Sequence, residues 1–180
     1  MSSDGKKHPE ISVVIPTSNR RAMLAEAINS VQAQTNARWE LIVVDDASTD
    51  DTWSFLSGLR DTRIRCFRQE KKYERSAARN LGLANARSEF IMFLDDDDLL
   101  WPGTLSVLKG ALEKHPDTVA AMGHAGIGSL TNIMKDATST SALCDDVIFS
   151  MNFYSAGRQY LARTCTVQRS CGMSVVMTNQ

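Results

Sequence analysis

Residues 89–100, "EFIMFLDDDDLL", set an apolar run directly against four consecutive aspartates. The run over residues 89–94 predicts a buried β-strand, because it is short, rich in large apolar side chains and followed at once by polar residues. The four carboxylates then stand at the carboxyl end of that strand. Like charges on adjacent residues repel one another, so this turn is either well solvated or a site for a positive group.

Two earlier runs have the same form. "ISVVI" (11–15) is ended by Pro16 in "PTSN", and "WELIVV" (39–44) is followed by "DDASTDD". A mixed run, "RIRCF" (63–67), predicts a weaker strand near a sheet edge. Segments with helical spacing of apolar residues separate these strands. Strands that alternate with helices indicate an α/β fold with a mostly parallel sheet.

Local signals refine two of the helices. Ser48 and Asp51 fit a capping box that would open the second helix. In the third helix, "ERSAARNLGLANA", the spacing of apolar residues puts Ala77, Leu81 and Ala84 on one side.

Composition limits the possible classes of protein. A chain of 180 residues suits one domain with a sizeable core. Its net charge of −1 gives no sign of a nucleic-acid partner. The polar start lacks a signal-peptide core, and no apolar run approaches the ~18 residues that a membrane span needs. The four cysteines show no CxxC pairing, which argues against a zinc site. We therefore expect a cytoplasmic domain without a transmembrane segment.

The three polar strand ends predict a common site, since ligands of open α/β sheets bind beyond the carboxyl ends of the strands. If the chain stays extended after the last strand, Asp95 and Asp97 project to one side and Asp96 and Asp98 to the other. Mg²⁺ or Mn²⁺ suits such oxygen ligands and takes one or two carboxylates plus substrate phosphate oxygens. The simpler alternative is an acidic loop in which Asp98 is favoured by the dipole of the next helix.

Two further groups of residues admit a functional or a structural interpretation. Asp46 either accepts hydrogen bonds from a base or a ribose, or caps the following helix. Residues 60–79 hold eight Lys/Arg against three Asp/Glu, which is typical of a solvated face. Arg75 and Arg79 nevertheless lie one helical turn apart and lead toward the acidic strand, where they fit a diphosphate.

Taken together, "ISVVIPTSNR", "WELIVVDDASTDDT" and "SAARNLGLANARSEFIMFLDDDDLLWPGTL" resemble the family 2 glycosyltransferases in order and separation. The resemblance covers about residues 10–123. It implies a Rossmann-like GT-A fold, a nucleotide-diphospho-sugar transferase sheet flanked by helices. It also implies sugar transfer from a UDP-, GDP- or TDP-sugar to the hydroxyl of a glycan or lipid-linked acceptor. Inverting transfer in cell-envelope polysaccharide biosynthesis, at the inner face of the membrane, is the expected role.

The resemblance also assigns roles to the donor-side residues. Pro16 and Thr17 would line the base pocket, Asp46 would bond the base, and Arg75 or Arg79 would lie near the nucleotide.

The acidic run would occupy the family's D-x-D position. Asp97 and Asp95 would be ligands of Mg²⁺ or Mn²⁺, and Asp96 or Asp95 would lie near the ribose. The metal would hold the diphosphate and stabilise it as it leaves.

The chain departs from the family pattern at two places. Ser18 stands where family members usually have an aromatic residue that stacks on the base. The family's general base lies in an acidic motif well downstream of D-x-D, whereas "CGMSVVMTNQ" (171–180) resembles only the strand before that motif. Asp145 and Asp146 are poor substitutes. The base is therefore expected beyond residue 180, in a chain truncated at its C-terminus.

These departures lead to an expected division of the chain into three regions and to two alternative functions. We expect a polar tail over residues 1–9, a nucleotide-sugar-binding core over 10–123 and an incomplete acceptor-side region over 124–180. One alternative is a truncated fragment that binds nucleotide without turnover. A more distant one is a haloacid-dehalogenase-like phosphatase, since "FLDDDDL" also fits an apolar strand that ends in D-x-D.

Overall fold

A computed structural model describes residues 8–35, 37–117, 120–122 and 160–163 of the chain. The strands are β1 (Ile11–Thr17), β2 (Trp39–Asp45), β3 (Ile64–Arg68), β4 (Phe90–Phe93), β5 (Ala120–Met122) and β6 (Tyr160–Arg163). The helices are α1 (Arg21–Gln32), α2 (Thr52–Gly58), α3 (Glu74–Asn85) and α4 (Thr104–Lys114). The longest of these helices have 12 residues, and no helix in the described part is long and apolar enough to cross a bilayer.

The strands form one sheet in the order β3-β2-β1-β4-β6-β5. The first four are parallel, whereas β6 is antiparallel to both β4 and β5. The predicted α/β class with a mostly parallel sheet is confirmed, and so is the edge position of the third strand. Strand β6 lies beyond residue 123, where the sequence has no clear periodicity, and it was therefore not predicted.

Both faces of the sheet are covered, which explains why the strands read as continuous apolar runs. Every residue of β1, β2 and β4 is buried. The side chains of Ile11, Val13 and Ile15 in β1 pack with α1, α2 and α4. Val14 packs with α3 on the opposite face. Because successive side chains of each strand point to opposite faces, the sheet contributes to one hydrophobic core on each face.

Pro16 does not end the first strand as the sequence predicted, because β1 continues through Thr17. Pro16 pairs with Val44 of β2, whereas the pairing of β1 with β4 stops at Val14. A proline has no backbone N–H, so it is tolerated where no neighbouring strand needs that donor. The extra residues carry Thr17 beyond the end of β4.

The buried side of α3 overlaps only in part with the side that carries Ala77, Leu81 and Ala84. Its buried residues are Ala78, Gly82 and Leu83, while Leu81 is partly buried and packs against the same core. A Cβ atom at position 82 would lie 2.3 Å from Cγ1 of Val14. Because Gly82 has no side chain, α3 can approach β1 closely. The spacing of apolar residues does not reveal such a close contact at a glycine.

The predicted capping box at α2 is wrong as well. Asp51 is the N-cap residue but makes no side-chain capping bond. The Ser48 backbone N–H instead donates to Oδ1 of Asp45 at 3.1 Å, and the Ser48 hydroxyl oxygen accepts from the Asn19 backbone N–H at 2.8 Å. Ser48 therefore joins two loops instead of opening a helix.

We predict that Gly82→Ala lowers the free energy of unfolding by roughly 1–3 kcal/mol, because the added methyl group overpacks a buried contact. The matched control is Gly110→Ala in α4, where nothing lies within 4 Å of the added Cβ. That change should raise stability by roughly 0.5–1 kcal/mol through its helix propensity. Urea unfolding followed by circular dichroism measures both. Equal effects of the two substitutions would contradict the close approach of α3 to β1.

Candidate functional site

The carboxyl ends of β1, β2 and β4 border a pocket of about 250 Å³. Five residues predicted from the sequence line it together. They are Pro16, Thr17, Asp46, Arg75 and Asp96. The predicted convergence of the three strand ends follows from the strand order, in which β1 has β2 on one side and β4 on the other.

The acidic run leaves β4 as a turn and not as an extended chain. The Asp98 backbone N–H donates to the Asp95 carbonyl oxygen at 3.1 Å. The extended chain that alternation of the four carboxylates would require is therefore absent between Asp95 and Asp98. Because the chain turns, one guanidinium reaches two neighbouring carboxylates: Nη1 of Arg20 lies 3.2 Å from Oδ1 of Asp96 and 2.8 Å from Oδ2 of Asp97.

Asp96 is the buried member of the run, with a side chain that is 7% exposed. Burial raises the pKa of its carboxyl, whereas the Thr17 hydrogen bond and the Arg20 charge act to lower it. The Thr17 hydroxyl donates to Oδ2 of Asp96 at 2.8 Å. With Arg20 on the other oxygen, the carboxylate is held from two sides, as a buried charge requires.

Two basic residues of α3 flank the turn. Nη2 of Arg79 donates to Oδ1 of Asp95. Arg79 thus lies against the acidic turn and not in the pocket lining, so its predicted place near the nucleotide stays a prediction. Arg75 does line the pocket, and its charge lowers the pKa of Asp96.

Asp46 is 3% exposed and caps a helix other than the one that follows it in sequence. Its Oδ1 accepts from the Tyr73 backbone N–H at 2.7 Å, and its Oδ2 accepts from the Glu74 backbone N–H at 2.9 Å. Both donors stand at the start of α3, where backbone N–H groups lack helical partners. Each carboxylate oxygen can accept a second bond. The bond from Asp46 to a base therefore stays a prediction.

Two functional candidates were missed by the sequence analysis, Asn19 and Arg20. Asn19 has a φ of 56°, a left-handed conformation that asparagine tolerates better than most residues. Its Oδ1 accepts from the backbone N–H groups of Thr49 and Asp50 at 2.7 and 3.2 Å. The available signal for Arg20 was its position directly after "PTSN", at the end of a strand expected to lie near the aspartates.

The oxygen ligands at this edge suit a hard divalent cation. Within the described ranges, no group of three His, Cys, Asp or Glu side chains lies close enough together to hold a metal ion. Mg²⁺ commonly takes only one or two carboxylates, with phosphate and water oxygens completing its shell. Asp97, with a side chain that is 48% exposed, fits that mode.

We predict that Asn19→Gly lowers the free energy of unfolding by about 1 kcal/mol, because it removes the acceptor that joins two loops while glycine keeps the positive φ. Asn19→Asp retains an acceptor oxygen and is the matched control, with stability near that of the unchanged chain. Urea unfolding compares the three proteins. A glycine variant as stable as the unchanged chain would show that the hydrogen bonds to the Asn19 side chain contribute nothing to stability.

Solved glycosyltransferases have the same fold. TarS from S. aureus, solved in complex with UDP-GlcNAc, superposes with a TM-score of 0.67 at 22% identity, over 89% of this chain and 47% of that one. The mannosyltransferase PcManGT from Pyrobaculum calidifontis was solved in complex with GDP-Man and Mn²⁺. It superposes with a TM-score of 0.62 at 21% identity, over 92% of this chain and 47% of that one. These likenesses identify the GT-A fold.

Curated relatives are closer in sequence. A GalNAc(5)-diNAcBac-PP-undecaprenol beta-1,3-glucosyltransferase of Campylobacter jejuni is 38% identical over 152 residues, which are 82% of this chain and 48% of that protein. The Escherichia coli UDP-Glc:alpha-D-GlcNAc-diphosphoundecaprenol beta-1,3-glucosyltransferase WfaP is 35% identical over 49% of this chain and 35% of its own length. The chain therefore spans about half or less of the length of these relatives.

The family comparison covers most of the chain. Residues 12–175 match the profile described as Glycosyl transferase family 2. This range includes all three polar strand ends and the pocket they surround. The chain belongs to glycosyl transferase family 2.

Proposed function

We propose that this chain is the donor-binding part of an inverting, metal-dependent glycosyltransferase, which moves a sugar from a nucleoside-diphosphate carrier to an acceptor hydroxyl. The observation that carries the proposal is the meeting of three polar strand ends around one pocket, with Thr17, Asp46 and Asp96 among its lining residues. Family membership and the GT-A fold support it.

In this proposal the pocket has a base end and a diphosphate end. Pro16, Thr17 and Asp46 form the base end, as the family pattern implies. Lys72 and Arg75 line the same pocket and bring positive charge suited to phosphate oxygens. Ser18 offers no aromatic face, and loss of a base-stacking partner costs roughly 1–3 kcal/mol in single-strand binding. Donor affinity should therefore depend strongly on the charged end.

Asp97 and Asp95 are the proposed ligands of Mg²⁺ or Mn²⁺. When bound, such an ion supplies Lewis-acid stabilisation of the leaving diphosphate. The chain's own residues orient this end of the pocket. The Thr17 hydroxyl and the Arg20 guanidinium hold Asp96, and Arg79 holds Asp95. The turn is thereby positioned before a donor arrives.

The names of the similar proteins suggest the substrate classes. The solved neighbours bind UDP-GlcNAc and GDP-Man, and the curated relatives are named for undecaprenol-diphosphate-linked acceptors. We extend to this chain a UDP-sugar as donor and a lipid-linked glycan as acceptor. A lipid-linked acceptor would place the reaction at the cytoplasmic face of a membrane, in envelope polysaccharide synthesis.

Inverting transfer needs a carboxylate that deprotonates the acceptor hydroxyl. Asp145, Asp146 and the segment 171–180 lie outside the described residues, and we assign no general base within the described part. The division at residue 123 between donor core and acceptor side stays a prediction. So does the alternative that residues 1–180 bind nucleotide without turnover. Family membership leaves the phosphatase alternative without support.

We predict that Mn²⁺ tightens UDP binding by at least about tenfold and that Asp97→Ala abolishes this gain, because the ion then loses its exposed carboxylate ligand. Isothermal titration calorimetry with UDP, GDP and TDP, with and without Mn²⁺, measures the effect. Asp117→Ala, which removes an exposed carboxylate beyond α4, is the control and should behave as the unchanged chain. Nucleotide binding that is indifferent to metal would contradict the role of Asp97.

A further inference from the structure

Arg20 makes two contacts of different kinds with the acidic turn. Its contact with Asp96 reaches a buried carboxylate that Thr17 also holds. Its shorter contact, to Asp97, joins two partly exposed side chains, 37% and 48% exposed. Exposed ion pairs contribute little to stability and exchange readily. Arg20 is therefore anchored at Asp96, while its hold on Asp97 is open to competition.

A divalent cation would compete with Arg20 for the Asp97 carboxylate. The Asp97 carboxylate is one of the two proposed ligands of a divalent cation, and Nη1 of Arg20 lies 2.8 Å from its Oδ2. A cation that binds Asp97 without any other ligand would sit close to the guanidinium, and like charges a few ångströms apart repel strongly at a protein surface. Metal binding alone must therefore displace Arg20 from Asp97, at a cost in affinity.

A nucleoside diphosphate removes that cost. Arg20 and Arg75 line the same pocket, so a diphosphate bound there lies within reach of both cations. The planar guanidinium pairs well with phosphate oxygens, often through two parallel hydrogen bonds. An arginine that moves from Asp97 to the diphosphate keeps an anionic partner and leaves the carboxylate to the metal.

We propose that Arg20 is an internal counter-ion which occupies Asp97 in the free protein and passes to the diphosphate when donor and divalent ion bind together. Arg20 is then a positioning residue that makes the two ligands bind cooperatively and disfavours uptake of metal by the empty site. The inference rests on the proposed function for the identity of the diphosphate. Its prediction for metal alone needs Asp97 as the metal ligand but does not depend on a nucleotide.

Electron paramagnetic resonance of free Mn²⁺ tests the proposal on the full 180-residue chain. Without nucleotide, Arg20→Gln should bind Mn²⁺ about tenfold more tightly than the unchanged chain, within the ~5–150-fold range typical of coupling between sites. UDP should raise Mn²⁺ affinity strongly in the unchanged chain and much less in the variant. Arg21→Gln is the matched control, because Arg21 pairs with Asp51 and lies over the Phe55 ring.

Equal or weaker Mn²⁺ binding by Arg20→Gln in the absence of UDP would overturn the proposal. If UDP binds none of the proteins, the proposed function fails, yet the titrations with metal alone still decide the role of Arg20. Urea unfolding establishes that each variant is folded.

A second variant keeps the test decisive if Arg20→Gln does not fold. Asp97→Asn frees Arg20 without removing it, so UDP should bind severalfold more tightly in the absence of metal. Asp98→Asn removes a charge from the same turn without touching an Arg20 contact, and it should give a smaller gain. Equal gains in UDP affinity for the two variants would show that any lost negative charge in the turn has the same effect. That result would overturn the specific role of Arg20.

Discussion

The pairing of β1 with β4 is the constraint on which the site depends. Their first residues, Ile11 and Phe90, are 79 positions apart in sequence yet are direct partners in the sheet. Their adjacency brings the Thr17 hydroxyl to within 2.8 Å of Oδ2 of Asp96. A buried carboxylate without partners is costly, and here a hydroxyl and a guanidinium satisfy it. The acidic turn is thus compatible with folding before any ligand binds.

Helix α1 reinforces this arrangement from both of its ends. Arg20 stands at its start, beside the aspartates. Near its other end, Nε2 of Gln34 donates to the Trp101 carbonyl oxygen at 2.7 Å, and Oε1 of Gln34 accepts from the Leu105 backbone N–H at 3.2 Å. The Ser30 hydroxyl oxygen accepts from the Leu100 backbone N–H at 3.0 Å. The same helix therefore supplies the counter-ion and holds the segment that follows the turn.

The sequence predicted the strands and helices up to Lys114 well, since continuous apolar runs, helical spacing and polar strand ends are local signals. It also predicted that Thr17, Asp46 and Asp96 would meet, because that follows from a parallel sheet. Individual partners were harder to foresee. The bonds of Asp46 to the start of α3 and the place of Arg20 between two aspartates depend on loop conformation, which no periodicity encodes.

Other differences arise from contacts between elements that are distant in sequence. The spacing of apolar residues does not reveal the burial of Gly82, because glycine has no apolar side chain, yet Gly82 sets the distance from α3 to Val14. The position of β6 beside β4 depends on long-range pairing. The four residues of β6 show no alternation of apolar and polar residues that would predict a strand. Such features are decided by the assembled sheet and not by the segment itself.

The central claim is that one pocket at the carboxyl ends of β1, β2 and β4 holds a nucleoside diphosphate and its metal. A crystal structure of the chain with UDP and Mn²⁺ tests this most directly. The account predicts the base beside Asp46, the ion on Asp97 and the guanidinium of Arg20 on the diphosphate. Nucleotide bound elsewhere, or an Arg20 that still holds Asp97 while ion and nucleotide occupy the pocket, would contradict it.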